Sequence, residues 1–200
     1  MCIRDRNTIV IYASDQGFFL GDHGWFDKRF MYEEALRMPF IIRYPKVIKP
    51  KTVVDDIITN IDFAPTILDF AGIEIPDEVQ GKSFMNNLMG KTPKNWRQSM
   101  YYHYYEYPFW HHVQPHYGIR TQRYKLIHFY HDIYIWELYD LKKDPLELNN
   151  LIGSKKHTSI IKKLKKELYD LKSEYGNNMT LDELRTISNT NFGGLESHVK

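Results

Sequence analysis

Cysteine is nearly absent: the 200 residues contain one, Cys2, which excludes an internal disulfide framework and leaves the compartment open. No apolar run approaches the roughly 18 residues that a bilayer span needs. Charge of one sign is missing as well. The 27 Lys and Arg stand against 25 Asp and Glu, a formal net charge of +2, too small to argue for a nucleic-acid or membrane partner. What remains is ordinary globular material, 42% hydrophobic and 26% charged, enough for one sizeable core or a domain and a half. Fifteen tyrosines and four tryptophans are the suggestive part of the composition, because aromatic faces serve sugar-binding clefts as well as cores.

The most informative segment begins at Asn7. Between Thr8 and Ser14 the chain is an uncharged β-run, and it ends abruptly in Asp15, Gln16 and Gly17. Such a run reads as a strand buried on both faces, and in an open parallel sheet the ligand crevice lies beyond the carboxyl ends of such strands. A carboxylate beside a side-chain amide oxygen is a donor set that hard divalent cations accept. Lys28, on the loop that follows, can return as a point charge for an anion. A plain turn at Gly17 with Lys28 as solvated surface is the alternative.

Further along, Met31 to Arg37 reads as a helical turn and Phe40 to Tyr44 as a second short strand stopped by Pro45. Lys46 to Thr52 reads as a surface connection. Asp62 suits an N-cap, with Pro65 in the first turn and Gly72 closing the helix, so its carboxylate is assigned a structural role ahead of a metal-binding one. Pro76 to Thr92 reads as a polar or irregular segment. From Met100 the character changes: Met100–Tyr107, Ile119–Tyr130 and Ile135–Leu141 are β-forming runs that predict an antiparallel sheet. Ile160, Ile161, Leu164, Leu168 and Leu171 then recur at helical spacing, so a helix over Lys156–Tyr175 should cover one face of that sheet. Its lysines form a solvated face. From Gly176 onward periodicity is weak.

Six of the nine histidines lie between His103 and His131. His111, His112 and His116 share a stretch with Phe109, Trp110 and two prolines, and no HxH or HxxxH pair there falls on a clear strand or helix, which speaks against zinc. Neutral imidazoles can bond sugar hydroxyls, so this stretch is the candidate specificity loop; core or surface histidines without a ligand are the competing reading. Arg120 is a candidate contact for an anionic neighbour on a glycan, and its strand context equally fits a structural role.

The ordered run Ser14-Asp15-Gln16-Gly17, Gly21-Asp22-His23-Gly24, Lys28 and Arg37-Met38-Pro39-Phe40 through Pro45 resembles the region around the metal-binding Asp of the type I, formylglycine-dependent sulfatases of the alkaline phosphatase superfamily. Asn60-Ile61-Asp62 through Gly72, Gln80-Gly81-Lys82-Ser83, Tyr117-Gly118-Ile119-Arg120-Thr121 and Glu137-Leu138-Tyr139-Asp140 follow in the family's order, and the similarity spans roughly residues 7 to 175. The resemblance implies an α/β fold: the C-terminal part of an alkaline-phosphatase-like mixed sheet sandwich over residues 7–95, and a small antiparallel subdomain covered by a C-terminal helix over 96–176. Residues 1–6 are expected to be a non-native leader and 177–200 a weakly ordered tail.

By the same resemblance Asp15 is a calcium ligand and Gln16 its neighbour, although Asn or His is commoner there. Lys28 contacts the sulfate ester, and His23 either lines the pocket or fixes the loop. The family's formylglycine arises from an upstream Cys-x-Pro/Ala-x-Arg segment, with an early Asp pair as further ligands. Cys2 does not match it, since Arg4 stands where Pro or Ala belongs. The implied protein is a Ca²⁺-dependent sulfuric ester hydrolase, periplasmic or secreted, of which this chain is an inactive fragment. Its substrate would be a sulfated glycan, with N-acetylglucosamine-6-sulfatases and mucin-desulfating enzymes as the nearest kind. A phosphoester or phosphonate hydrolase of the same superfamily and a non-catalytic fragment stay open, and oligomeric state is not legible.

Overall fold

The computed structural model describes residues 5–108 and 111–193, with side chains to residue 188; Cys2, Phe109 and Trp110 lie outside the described residues. In chain order the elements are β1 (Val10–Ala13), β2 (Phe19–Leu20), β3 (Phe26–Asp27), α1 (Glu33–Leu36), β4 (Phe40–Arg43), α2 (Phe63–Phe70) and α3 (Met85–Leu88). They continue with β5 (Ser99–Tyr104), β6 (His116–Thr121), β7 (Tyr124–Tyr130), β8 (Tyr134–Asp140), α4 (Thr158–Glu174) and α5 (Leu181–Gly193). The chain up to Gly17 joins Met38–Gln98 in one compact unit; Phe18–Arg37 joins the chain from Ser99 onward in a second.

In the first unit β1 pairs with β4, from Val10 opposite Arg43 to Ala13 opposite Phe40. The pairing is antiparallel, and within this chain taken alone Val10, Ile11 and Tyr12 are 51%, 42% and 65% exposed. An uncharged apolar run shows that both faces tolerate cover, whereas burial needs neighbours, and among the described residues β4 is the one strand paired to β1. The core of this unit gathers Ile48, Phe84, Leu88 and Trp96, with Phe40 and Phe63 packed against them.

Asp62 has the structural role expected of it, by a different route from a simple cap. It closes a 3₁₀ turn at Asn60–Asp62 and is fully buried. Its carboxylate accepts the backbone N–H groups of Thr59 and Lys82, each at 2.8 Å, and pairs with Arg97. Gly72 at φ 67 then ends α2, with the Ile73 N–H reaching the Leu68 carbonyl at 2.9 Å, as a left-handed C-terminal glycine should. The stretch expected to be irregular, Pro76 to Thr92, contains α3. Burial of Phe84 and Leu88, one helical turn apart, holds that turn despite the poor helix propensity of its two asparagines.

The second unit is built on an antiparallel meander, β5-β6-β7-β8. The run Ile119–Tyr130, read as one β-segment, is two strands joined at Gln122–Arg123, where Thr121 closes the turn through hydrogen bonds with Tyr124. No Gly or Asn marks that turn, so the usual hairpin signal is missing. Alternation along β7 sends Leu126 and Tyr130 to one face and Ile127 and Phe129 to the other. The first face packs with Leu164 and Leu168 of α4 and Leu184 of α5. The second packs against Met31, with Phe30 and Tyr32 beside it.

Within the segment 177–200, expected to be a weakly ordered tail, the described residues form α5 over Leu181–Gly193, and residues 194–200 lie outside the described residues. Leu184 is 2% exposed, and Arg185 of the same helix donates from Nε to the Tyr130 carbonyl at 2.7 Å. Two anchors suffice to dock a helix whose apolar periodicity is faint.

Gly118 explains how Met31 reaches the sheet. A Cβ there would stand 2.4 Å from the Leu126 carbonyl oxygen and 2.6 Å from the Met31 sulfur, so only glycine leaves room for the fully buried Met31. Gly118→Ala is expected to destabilise the chain by about 1–3 kcal/mol through overpacking, measured by urea unfolding. An unchanged midpoint would mean that Met31 moves aside at no cost.

Candidate active site

Strand β1 delivers Asp15 and Gln16 to a bend one residue past its end. Asp15 is exposed and accepts a hydrogen bond from Ser14 Oγ at 3.3 Å, and Gln16 is half-buried. Among the described residues no group of three or more His, Cys, Asp or Glu side chains forms a metal cluster. Ca²⁺ takes six to eight oxygen ligands; a carboxylate and an amide oxygen fit the donor chemistry and supply part of that number. A cleft of about 400 Å³ in the same unit is lined by Ile11, Phe40, Ile42, Phe63 and Phe84 among others, an apolar wall without acid, base or ligand.

Lys28 follows β3 in the second unit and is half-buried. Its neighbour Asp27 has φ 104, a left-handed conformation that is costly for a residue with a Cβ and that concentrates at functional positions. The Asp27 carboxylate pairs with Arg29, and its Oδ2 lies 3.0 Å from Nδ1 of His111. The fold therefore brings His111 to the residue adjoining Lys28. The Arg29 carbonyl in turn accepts the Tyr102 hydroxyl at 3.3 Å.

The remaining residues singled out in the sequence have other positions. His23, at φ 54 in a 3₁₀ turn, stacks on Tyr32 with 4.7 Å between ring centroids and has Nε2 3.4 Å from Glu34, a geometry that fixes the loop. His112 is exposed, at φ 47. His116 is corrected: it opens β6 and is fully buried, its ring 4.9 Å from Phe129 and 5.8 Å from Phe30. Nδ1 of His116 donates to the Gln114 carbonyl at 2.8 Å. An imidazole so enclosed is part of the core.

Arg120 is likewise committed within the protein. It donates to both carboxylate oxygens of Glu33, at 3.3 and 3.1 Å. Lys125, with no exposed side-chain surface, lies 2.9 Å from Glu33 and 2.7 Å from Glu147, and Glu147 accepts the Glu33 backbone N–H at 2.7 Å. Burial alone would raise both acids. At Glu33 the two cations outweigh it and hold the carboxyl below its usual range, whereas at Glu147 burial prevails over Lys125 and pushes the carboxyl up. The sequence reading passed over this cluster and Asp27. Lys125 left one trace, a lone charge inside the β-run Tyr124 to Tyr130.

Burial also pushes three histidines down to about 4: His103, His116 and His128. His103 bonds the Tyr130 hydroxyl and Asn177, each at 2.9 Å. His128 stacks on Trp136 at 4.0 Å and bonds the Tyr117 hydroxyl at 2.9 Å.

Residues 21–174 match the family model described as N-sulphoglucosamine sulphohydrolase, C-terminal. The chain belongs to this family. It is 56% identical over 183 residues to an N-acetylglucosamine-6-O-sulfatase of Bacteroides thetaiotaomicron, covering 90% of this chain and 33% of that protein. An arylsulfatase of Clostridium perfringens is 39% identical over 173 residues, 82% of this chain and 33% of that protein. Among solved structures, a protein in complex with its substrate D-glucosamine-2-N,6-O-disulfate superimposes with TM-score 0.84 at 56% identity, over 86% of this chain and 35% of that one. This chain thus spans about a third of the length of the relatives it matches. Its fold is theirs, the C-terminal part of an alkaline-phosphatase-like α/β architecture.

Two outcomes follow from the buried charges. The three histidines are neutral when folded, with pKa values of about 4 against an ordinary 6.5. As pH falls from 6.5 to 4 the unfolded chain takes up protons that the folded chain does not, so the stability present above 6.5 is progressively lost. The urea midpoint should be lower at pH 5 than at pH 7.5, and His116→Phe should flatten that dependence; an unchanged slope would take His116 out of the account. Lys125→Met leaves two buried carboxylates with less compensation and is expected to cost about 3–5 kcal/mol, measured by the same unfolding at pH 7.5.

Proposed function

We propose that this chain is the C-terminal part of a sulfuric ester hydrolase that removes sulfate from a sulfated carbohydrate, namely 6-O-sulfated N-acetylglucosamine in a glycan. The observation that carries the reading is the 56% identity over 183 residues to an N-acetylglucosamine-6-O-sulfatase. A periplasmic or secreted setting goes with the reading.

In this assignment Asp15 and Gln16 are oxygen ligands of Ca²⁺. When bound, the cation would supply Lewis-acid stabilisation of charge on sulfuryl oxygens. The Lys28 ammonium supplies a fixed positive charge for an anionic ester, and its half-buried setting gives that charge more effect than it has in bulk water. Asp27 and Arg29 flank Lys28 and restrict the backbone that carries it. The nucleophile, a formylglycine in the resembling enzymes, is assigned to sequence outside this chain.

A phosphonate or phosphoester hydrolase is the second reading. The phosphonate monoester hydrolase of Silicibacter pomeroyi superimposes with TM-score 0.71 at 28% identity, over 83% of this chain and 35% of that one. Fold does not separate the two chemistries; substrate does.

The deciding protein is a chimera in which this chain replaces the corresponding third of the Bacteroides relative. It should hydrolyse glucosamine 6-sulfate in preference to phosphonate esters, lose activity with a chelator and regain it with Ca²⁺. Lys28→Ala should lower kcat/KM by roughly 10²- to 10³-fold, the scale of a lost charge-stabilising donor. The isolated 200 residues should show no turnover of aryl or sugar sulfates. Preference for phosphonates, or near-normal turnover by the Lys28 variant, would overturn the assignment.

A further inference from the structure

We propose that the lysines at the start of α4 form a docking surface for the polyanionic chain of a sulfated glycan, remote from Lys28; the choice of a glycan rests on the sulfatase reading above. The near-neutral balance of +2 conceals a local excess. From Leu148 to Lys166 there are six lysines, one histidine and no Asp or Glu, and a lysine run of that density is an electrostatic footprint for anionic polymers. Two of the six are already engaged: Lys165 Nζ lies 3.9 Å from the centre of the Trp136 ring, and Lys166 pairs with Asp170. Lys155, Lys156, Lys162 and Lys163 are exposed and, among the described residues, enter no ion pair.

These four cations form a line and not a point. Lys155 and Lys156 occupy the 3₁₀ turn Lys155–His157 that runs directly into α4, seven residues before Lys162 and Lys163, which is on the order of 10 Å along the axis. The first turn of α4 holds no acid, so the positive end of the helix dipole adds to the lysines where an Asp or Glu would ordinarily offset it. A row of sulfate groups supplies the missing counter-charge. On its other side α4 packs Leu164 and Leu168 on the sheet face that carries Leu126 and Tyr130, whereas the segment bearing Lys28 packs through Phe30 and Met31 on the opposite face. The sheet separates the two surfaces, so a ligand that engages both is a polymer. Other polyanions fit less well. Lys155–Lys166 contains no Arg for bidentate contacts to phosphates or bases and no Phe, Trp or Tyr on which bases stack. A membrane surface needs an apolar helix face to bury, and that of α4 is occupied by the sheet.

The test is binding of a heparin fragment, as a sulfated glycan, to the 200-residue chain by titration calorimetry over a range of salt concentrations. Lys155→Gln, Lys156→Gln, Lys162→Gln and Lys163→Gln combined, which keep helix propensity, should weaken binding at least about tenfold and lower the slope of log K against log salt by roughly 3. Lys46→Gln, Lys49→Gln, Lys91→Gln and Lys94→Gln combined remove the same charge elsewhere and should change little. In the chimera described above, the α4 variant should raise KM for a sulfated polysaccharide several-fold, because a docked polymer raises the local concentration of its esters, and should leave kcat/KM for glucosamine 6-sulfate unchanged. Equal losses of heparin binding in the two combined variants, or binding of duplex DNA or of phosphatidylglycerol vesicles as tight as that of the heparin fragment, would overturn the proposal. A chimera inactive on glucosamine 6-sulfate would refute the sulfatase reading, and the calorimetry on the 200-residue chain would still decide the docking surface.

Discussion

The buried ammonium of Lys125 is the contact on which the second unit depends. It has no accessible side-chain surface and two carboxylates within 2.9 Å, one from α1 and one from the loop after β8. An unpaired charge at that depth costs several kcal/mol, so the sheet and α1 are each unstable partners without the other. Arg120 supplies a second cation to Glu33, which makes the cluster two positive and two negative charges. The opposite displacements of its acids follow from that count: Glu33 faces two cations and Glu147 one. The Glu147 backbone sits at φ 52, a further sign that the loop is shaped to bring its carboxylate inward.

What this cluster secures is the segment Phe18–Arg37, more than sixty residues from the sheet in sequence yet part of the same compact unit. Tyr32 donates to Glu137 at 2.9 Å and Met31 fills the space that Gly118 leaves. Phe30 lies on the buried ring of His116. These anchors begin two residues after Lys28. A side chain that must meet a substrate within tenths of an ångström is best carried by backbone whose neighbours are immobilised in this way. The histidine-rich stretch therefore divides its labour: His116 is floor beneath Phe30, and His111 reaches Asp27.

That division was only half visible in the sequence. Alternation and helical spacing located β5, β8 and α4, because their apolar residues face a single cover. The turn between β6 and β7 was invisible since Gln122–Arg123 lacks the residues that favour a tight hairpin, and α5 was obscured because it is held by Leu184 and Arg185 and not by an apolar stripe. The exposure of β1 has another source: a sequence records what a strand can tolerate, while neighbours decide what it receives, and this chain spans a third of its relatives' length. Asp15, Gln16 and Lys28 were legible as an ordered motif. The setting of Asp27 was not, because its positive φ and its contact with a histidine 84 residues away are both products of tertiary packing.

The likeness to a phosphonate monoester hydrolase with TM-score 0.71 shows how little the scaffold itself dictates. A shared sheet and helix arrangement fixes where loops begin, and the loops then determine which ester is held and which leaving group is read. In this chain Lys28, Asp27 and His111 belong to one unit, with Asp27 joined to Lys28 by one peptide bond and to His111 by one carboxylate contact. A shift of the hairpin therefore displaces Lys28 and Asp27 together. The buried charges around Lys125 anchor the segment that carries Lys28 and Asp27.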